Sequence, residues 1–198
     1  MGISCSNRSE PFVPTAMEPP VILPPVLVDT ISCNGRAKEI FDLSNLYYKL
    51  PNGLYFENSP AQSGDPTYSY LWPYVGLVSG AATLNQIGYT VDIATLTDNY
   101  EKYFRTGANG NNISGNGSST NGTTGGGTGF YDDNSIVGVS QLEAYNFTKE
   151  HRFIDRSSLI VTFLKSGVDH LLGGAMWWNE DEKYGALSVF KKEVLSTK

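Results

Sequence analysis

The spacing of apolar residues constrains this chain most. Between Ala37 and Leu50 they fall at Ile40, Phe41, Leu43, Leu46, Tyr47 and Leu50. That is the i, i+3, i+4, i+7 recurrence of a helix with one buried stripe. Pro51-Asn52-Gly53 ends it, because proline followed by a glycine turn cannot continue a helix. A second helix is expected from about Ser69 to Gly88, with Pro73 in its first turns. Small residues there, Gly76, Ser79, Gly80, Ala81 and Ala82, allow close packing against a neighbour. A third helix is expected from about Val91 to Arg105, and two more over residues 134–148 and 152–171. A last stretch, Ala186–Leu195, also suits a helix. Strand alternation is scarce, and helices joined by alternating short and long loops point to an all-α fold.

Two segments escape the pattern. Residues 1–35 concentrate proline and carry no period, so they read as a tether, with the folded part starting near Arg36. Residues 107–129 consist of Gly, Asn, Ser and Thr apart from Ala108 and Ile113, a composition expected of a flexible loop without a core of its own. Glycosylation sequons fall at Asn112, Asn116, Asn121 and Asn146, of consequence only in a glycosylating host.

The formal charge of -6 is spread along the chain and argues against a nucleic-acid partner, which calls for a basic patch. No apolar run is long enough to span a bilayer, and Val21–Val28 is interrupted by Pro24 and Pro25. The two cysteines, Cys5 and Cys33, make no disulfide framework. Gly-Ile-Ser-Cys-Ser around Cys5 looks like the mature start of a bacterial lipoprotein, with Cys5 carrying the lipid, membrane anchoring at the N-terminus and an extracytoplasmic location. An N-myristoylation signal beside a palmitoylated Cys5, or an ordinary N-terminus, reads the same residues as well.

Chemistry concentrates at Tyr131-Asp132-Asp133-Asn134, where the Gly/Asn/Ser segment enters a helix. Cleaving a glycosidic bond commonly takes two carboxyl groups, one to protonate the leaving oxygen and one to attack or to activate water. Two adjacent carboxylates repel, which favours a proton on one of them, as a general acid requires. The same tetrapeptide also suits a helix start with no chemistry, since Asp and Asn are favoured capping residues; spacing alone does not choose. His151 and His170 lack the second ligand spacing of a metal site and suit surface or capping roles. Glu180-Asp181-Glu182 reads as a solvated loop. Neither a Gly-x-Ser-x-Gly motif nor a phosphate-binding loop is present.

Residues 130–150 resemble family 76 of the glycoside hydrolases, the endo-α-1,6-mannanases and their relatives. Two further segments, in the same order as in that family, extend the resemblance: Leu71-Trp72-Pro73-Tyr74 upstream, and Gly173-Gly174-Ala175-Met176-Trp177-Trp178 downstream. The resemblance covers about residues 36–182. It implies an (α/α)6 barrel of the six-hairpin type and hydrolysis, or transglycosylation, of α-1,6-linked mannose with retention of configuration. It implies Asp132 as nucleophile, Asp133 as general acid/base, and Trp72, Tyr131, Asn134, Trp177 and Trp178 as residues lining the sugar sites. No metal or organic cofactor is implied, and the partner is α-mannan or another mannose-containing glycan. Family members are longer, so the barrel is expected to be incomplete in this chain, with an open edge whose apolar faces favour self-association.

Overall fold

The computed structural model describes residues 32–108, 112–121 and 124–184. The proposed tether and Cys5, apart from residues 32–35, and the helix expected at Ala186–Leu195 lie outside the described residues.

Helix α1 (Cys33–Tyr48) starts earlier than Arg36, because the Ser32 hydroxyl accepts a hydrogen bond from the Gly35 amide and caps it. The expected buried stripe is only half there. Phe41 and Tyr48 pack against the core, while Ile40, Leu46 and Tyr47 are exposed and no residue of α1 is fully buried. Helix α2 (Leu71–Gln86) carries Pro73 in its first turn, where the missing N–H has no intrahelical partner to lose. Its Ala81 and Ala82 are buried, whereas Gly76 and Gly80 line a groove facing α1.

The third expected helix breaks in two and then leaves the helical state. Helix α3 (Ile93–Asp98), capped by the Asp92 carboxylate, passes into a 3-10 turn at Asn99–Lys102. Phe104 and Arg105 already belong to a strand.

Within residues 107–129, where composition suggests a flexible loop, the described residues include paired strands. Strands β1 (Phe104–Ala108) and β2 (Ile113–Asn116) pair antiparallel, as do β3 (Ser119–Asn121) and β4 (Thr124–Gly126). Their glycines permit contacts that no side chain could. A Cβ at Gly115 would stand 2.6 Å from the Phe163 ring, and one at Gly125 would fall on the Tyr103 carbonyl.

Helices α4 (Tyr131–Thr148) and α5 (His151–Ser166) form a tight hairpin. Lys149 closes α4 in the left-handed conformation, with φ 61°, the usual way of satisfying the last carbonyls of a helix. Gly138 lets α5 approach, and the Ser157 hydroxyl donates to the Gly138 carbonyl. The main core gathers α2, α3, α4 and α5 around buried Tyr74, Tyr100 and Tyr103. Tyr74 donates to the Leu96 carbonyl and accepts from Asn99, so its buried hydroxyl is paired. A 3-10 turn at Leu171–Gly174 and a short helix α6 (Glu180–Tyr184) complete the described chain. The latter replaces the solvated loop expected at Glu180-Asp181-Glu182, since Glu180 is buried.

Candidate active site

The Asp-Asp pair occupies the first turn of α4, and three supports fix that turn. The Asn134 side chain is one. Its Oδ1 accepts from the Asn116 amide at 2.8 Å, and its Nδ2 donates to the Asn116 and Phe130 carbonyls at 2.9 and 2.8 Å. This bracket bolts β2 to the start of α4. The Tyr131 ring is the second, stacked on Phe163 in a small cluster with Trp177. The third is the extended segment after the Gly-Gly turn. The Tyr131 amide donates to the Trp178 carbonyl at 2.9 Å, and Phe130 pairs with Asn179 in an isolated antiparallel bridge.

Above this platform lies an open cleft of about 430 Å³ lined by Tyr70, Trp72, Ser118, Phe130, Asp132, Asp133 and Trp178. Trp72 is 54% exposed and Trp178 37%, and the Trp178 ring rests against Phe130 with centroids 5.1 Å apart. The Leu71 amide donates to the Ser118 carbonyl at 2.8 Å, joining the head of α2 to the β-insertion. The Tyr70 amide donates to Glu57 at 2.8 Å, which fixes the preceding loop.

The two carboxyl groups stand in different surroundings. Asp133 is 8% exposed. Burial, with a smaller contribution from the charge of Asp132, pushes its pKa up to about 6. Asp132 is more open, and its Oδ1 accepts from the Asp133 amide at 2.9 Å. Two carboxyl groups of unlike environment at one cleft can divide the roles of proton donor and nucleophile. Exposed indole and phenol rings offer apolar faces with polar edges, which suits the mixed surface of a sugar.

Of the residues singled out in the sequence, Trp72, Asp132, Asp133 and Trp178 meet at this cleft. Tyr131, Asn134 and Trp177 do not line it. Each is buried, Tyr131 completely, and they hold the platform from beneath. Trp177 and Trp178 sit next to one another on an extended segment, where consecutive side chains point to opposite faces, so one goes inward and the other outward. The Trp177 indole N–H donates to Asp169. Sequence reasoning missed Tyr70, Phe130 and Ser118. Tyr70 and Phe130 each flank a recognised motif, which was a usable signal; Ser118 sits in the Gly/Asn/Ser segment and had none.

A larger groove of about 520 Å³ lies between α1 and α2, lined by residues such as Ile40, Phe41, Leu77 and Leu84. No titratable side chain lines it. Among the described residues, no group of three His, Cys, Asp or Glu side chains is placed to hold a metal ion, and His151 and His170 are exposed.

No protein-family model matches the sequence, and no curated protein does. Solved structures do. The fold matches a GH76 α-mannanase of Bacteroides thetaiotaomicron with TM-score 0.61 and 20% identity, over 73% of this chain and 39% of that one. It also matches a family 76 glycoside hydrolase (mannosidase) of the same organism with TM-score 0.54 and 20% identity, over 74% of this chain and 41% of the other. The chain has the fold of part of an (α/α)6 barrel. It spans about two fifths of the length of these two structures.

Proposed function

We propose that the chain belongs to family 76 of the glycoside hydrolases and carries the catalytic pair of a retaining enzyme that acts on α-1,6-linked mannan. The observation that carries this reading is the meeting of Asp132, Asp133, Trp72 and Trp178 at one cleft. The raised pKa of Asp133 and the fold shared with a GH76 α-mannanase and a family 76 mannosidase support it.

In this mechanism a mannosyl unit stacks on the exposed rings. The Asp132 carboxylate attacks the anomeric carbon, while Asp133 gives its proton to the departing glycosidic oxygen. The bond from the anomeric carbon to that oxygen breaks as the bond to Asp132 forms. Asp133, now ionised, takes a proton from water, which attacks the same carbon and frees Asp132. A glycan hydroxyl in place of water gives transglycosylation by the same steps.

Release of reducing sugar from debranched α-1,6-mannan tests the proposal, with Asp132→Asn and Asp133→Asn as controls. Hydrolysis by the native chain should fall about 10²- to 10⁴-fold in Asp133→Asn, the span a positioned acid or base supplies, and at least as much in Asp132→Asn, which loses the nucleophile. Hydrolysis that survives both changes would remove the pair from the mechanism. The exposed rings of Tyr70, Trp72 and Trp178 also favour a second reading, glycan binding without cleavage. Under that reading the native chain and Asp132→Asn bind mannan equally and neither releases sugar.

A further inference from the structure

Glu180 is a fully buried carboxylate at 1% exposure that the mechanism above does not use. It forms an ion pair with Arg105 of β1. Its Oε1 accepts from the Gly129 amide at 2.9 Å, while its own amide donates to the Gly129 carbonyl at 3.1 Å. Glu180 and Gly129 thus clasp each other through both side chain and main chain. One residue earlier, the Thr128 hydroxyl donates to Asp181. One and two residues later come the Phe130 to Asn179 bridge and the Tyr131 to Trp178 hydrogen bond. Gly129 itself has no room for a side chain. A Cβ there would stand 2.7 Å from Glu180, and 2.8 Å from both Arg105 and Phe163.

Burying an ion pair is a poor way to gain stability, because desolvating two charges offsets most of their attraction. What a buried pair whose carboxylate also accepts from the Gly129 amide does supply is position. Gly129, Phe130 and Tyr131 lead directly into the turn that carries Asp132 and Asp133. The same contacts hold Trp178, on the wall of the cleft, in register with that turn.

We infer that Glu180, held by Arg105, is a positioning residue that fixes the Gly129–Tyr131 run and through it the burial and aim of the Asp132–Asp133 pair. The inference rests on the hydrolase reading only for its catalytic consequence. The geometric claim, that Glu180 determines how deeply Asp133 is buried, stands apart from it. Asp132 is the charged neighbour that acts on Asp133. Arg105, Glu180 and Asp181 gather instead at the Thr128–Gly129 backbone.

The test tracks the titration of Asp133 by carboxyl ¹³C NMR in the native chain, in Glu180→Ala and in Glu180→Asp, with Asp133→Asn to assign the signal. Glu180→Asp keeps the charge but withdraws it from the Gly129 amide, so it tests the latch even where Glu180→Ala does not fold. In both variants the Asp133 midpoint should fall from about 6 toward the ordinary value of about 4, as the loosened turn admits water. A folded variant whose midpoint stays at about 6 overturns the inference. On mannan, the same variants should lose about 100-fold in kcat with KM changed less than about twofold, as expected when reacting groups are misplaced by about an ångström. A native chain that leaves mannan intact counts against the hydrolase reading alone, because the titration needs no substrate.

Discussion

Asp133 couples stability to chemistry. It binds its proton more tightly in the folded chain than in the unfolded one, because burial disfavours the charged form. Its contribution to stability is therefore fully present below the ordinary carboxylate range and is lost as pH climbs from about 4 through about 6. Asp133→Asn removes that penalty. The variant should be about 3 kcal/mol more stable than the native chain at about pH 7.5, with the gain gone at about pH 4. Urea denaturation at the two pH values measures the difference, and equal stability at the higher pH would mean that Asp133 is not strained by its ionisation. A group of this kind is poised to act as an acid in a mildly acidic medium.

Among the elements, the β-insertion is where the sequence misleads most. Its strands lack the alternation of apolar and polar side chains by which strands are recognised. They form because glycines at positions 115 and 125 let the backbone press against Phe163 and Tyr103, and because Asn134 pairs with the main chain of Asn116. Asn134→Ala would strand the buried amide and carbonyl of Asn116. The expected cost is about 2–4 kcal/mol, from two unpaired backbone groups at about 1–2 kcal/mol each, with loss of amide protection confined first to β1 and β2. Hydrogen exchange measured residue by residue checks this, and uniform loss across α2, α4 and α5 would contradict a local bracket. Helices α2, α4 and α5 were legible within a few residues of their ends, although only α5 carries a clear apolar period. The Asp-Asp pair and the outward tryptophans were legible as motifs. The inward ones, Tyr131 and Trp177, were not, because a motif says which residues recur and not which way they face. Glu180 looked solvated because its partner Arg105 lies far away in the sequence.

At the scale of the molecule, stability is distributed unevenly. Val78, Val137 and Ile160 are completely buried where α2, α4 and α5 meet, while Ile40 on α1 is 65% exposed. Ile160→Ala should cost about 2–5 kcal/mol, the span for emptying a packed site. Ile40→Ala should cost less than about 0.5 kcal/mol, as surface changes do. Paired thermal and chemical denaturation of the two variants tests the contrast. Comparable losses would mean that α1 is covered by something its own neighbours do not provide. The outer position of α1 also explains why a clean helical period there overstated its burial. Periodicity shows that a face is apolar, and the rest of the fold decides whether anything lies against it.

The clasp between Gly129 and Glu180 has a consequence for the order of events during synthesis. Helices α2 and α3 and the insertion can associate once α4 and α5 have emerged after them from the ribosome. The turn bearing the two aspartates gains its last supports, Trp178, Asn179 and Glu180, only when the far side of the Gly-Gly turn emerges. Contacts spanning such a stretch of chain form late, because the entropy of closing the intervening loop is lost before they can repay it. The nascent chain therefore presents its two aspartates on a loosely held turn until Glu180 has emerged.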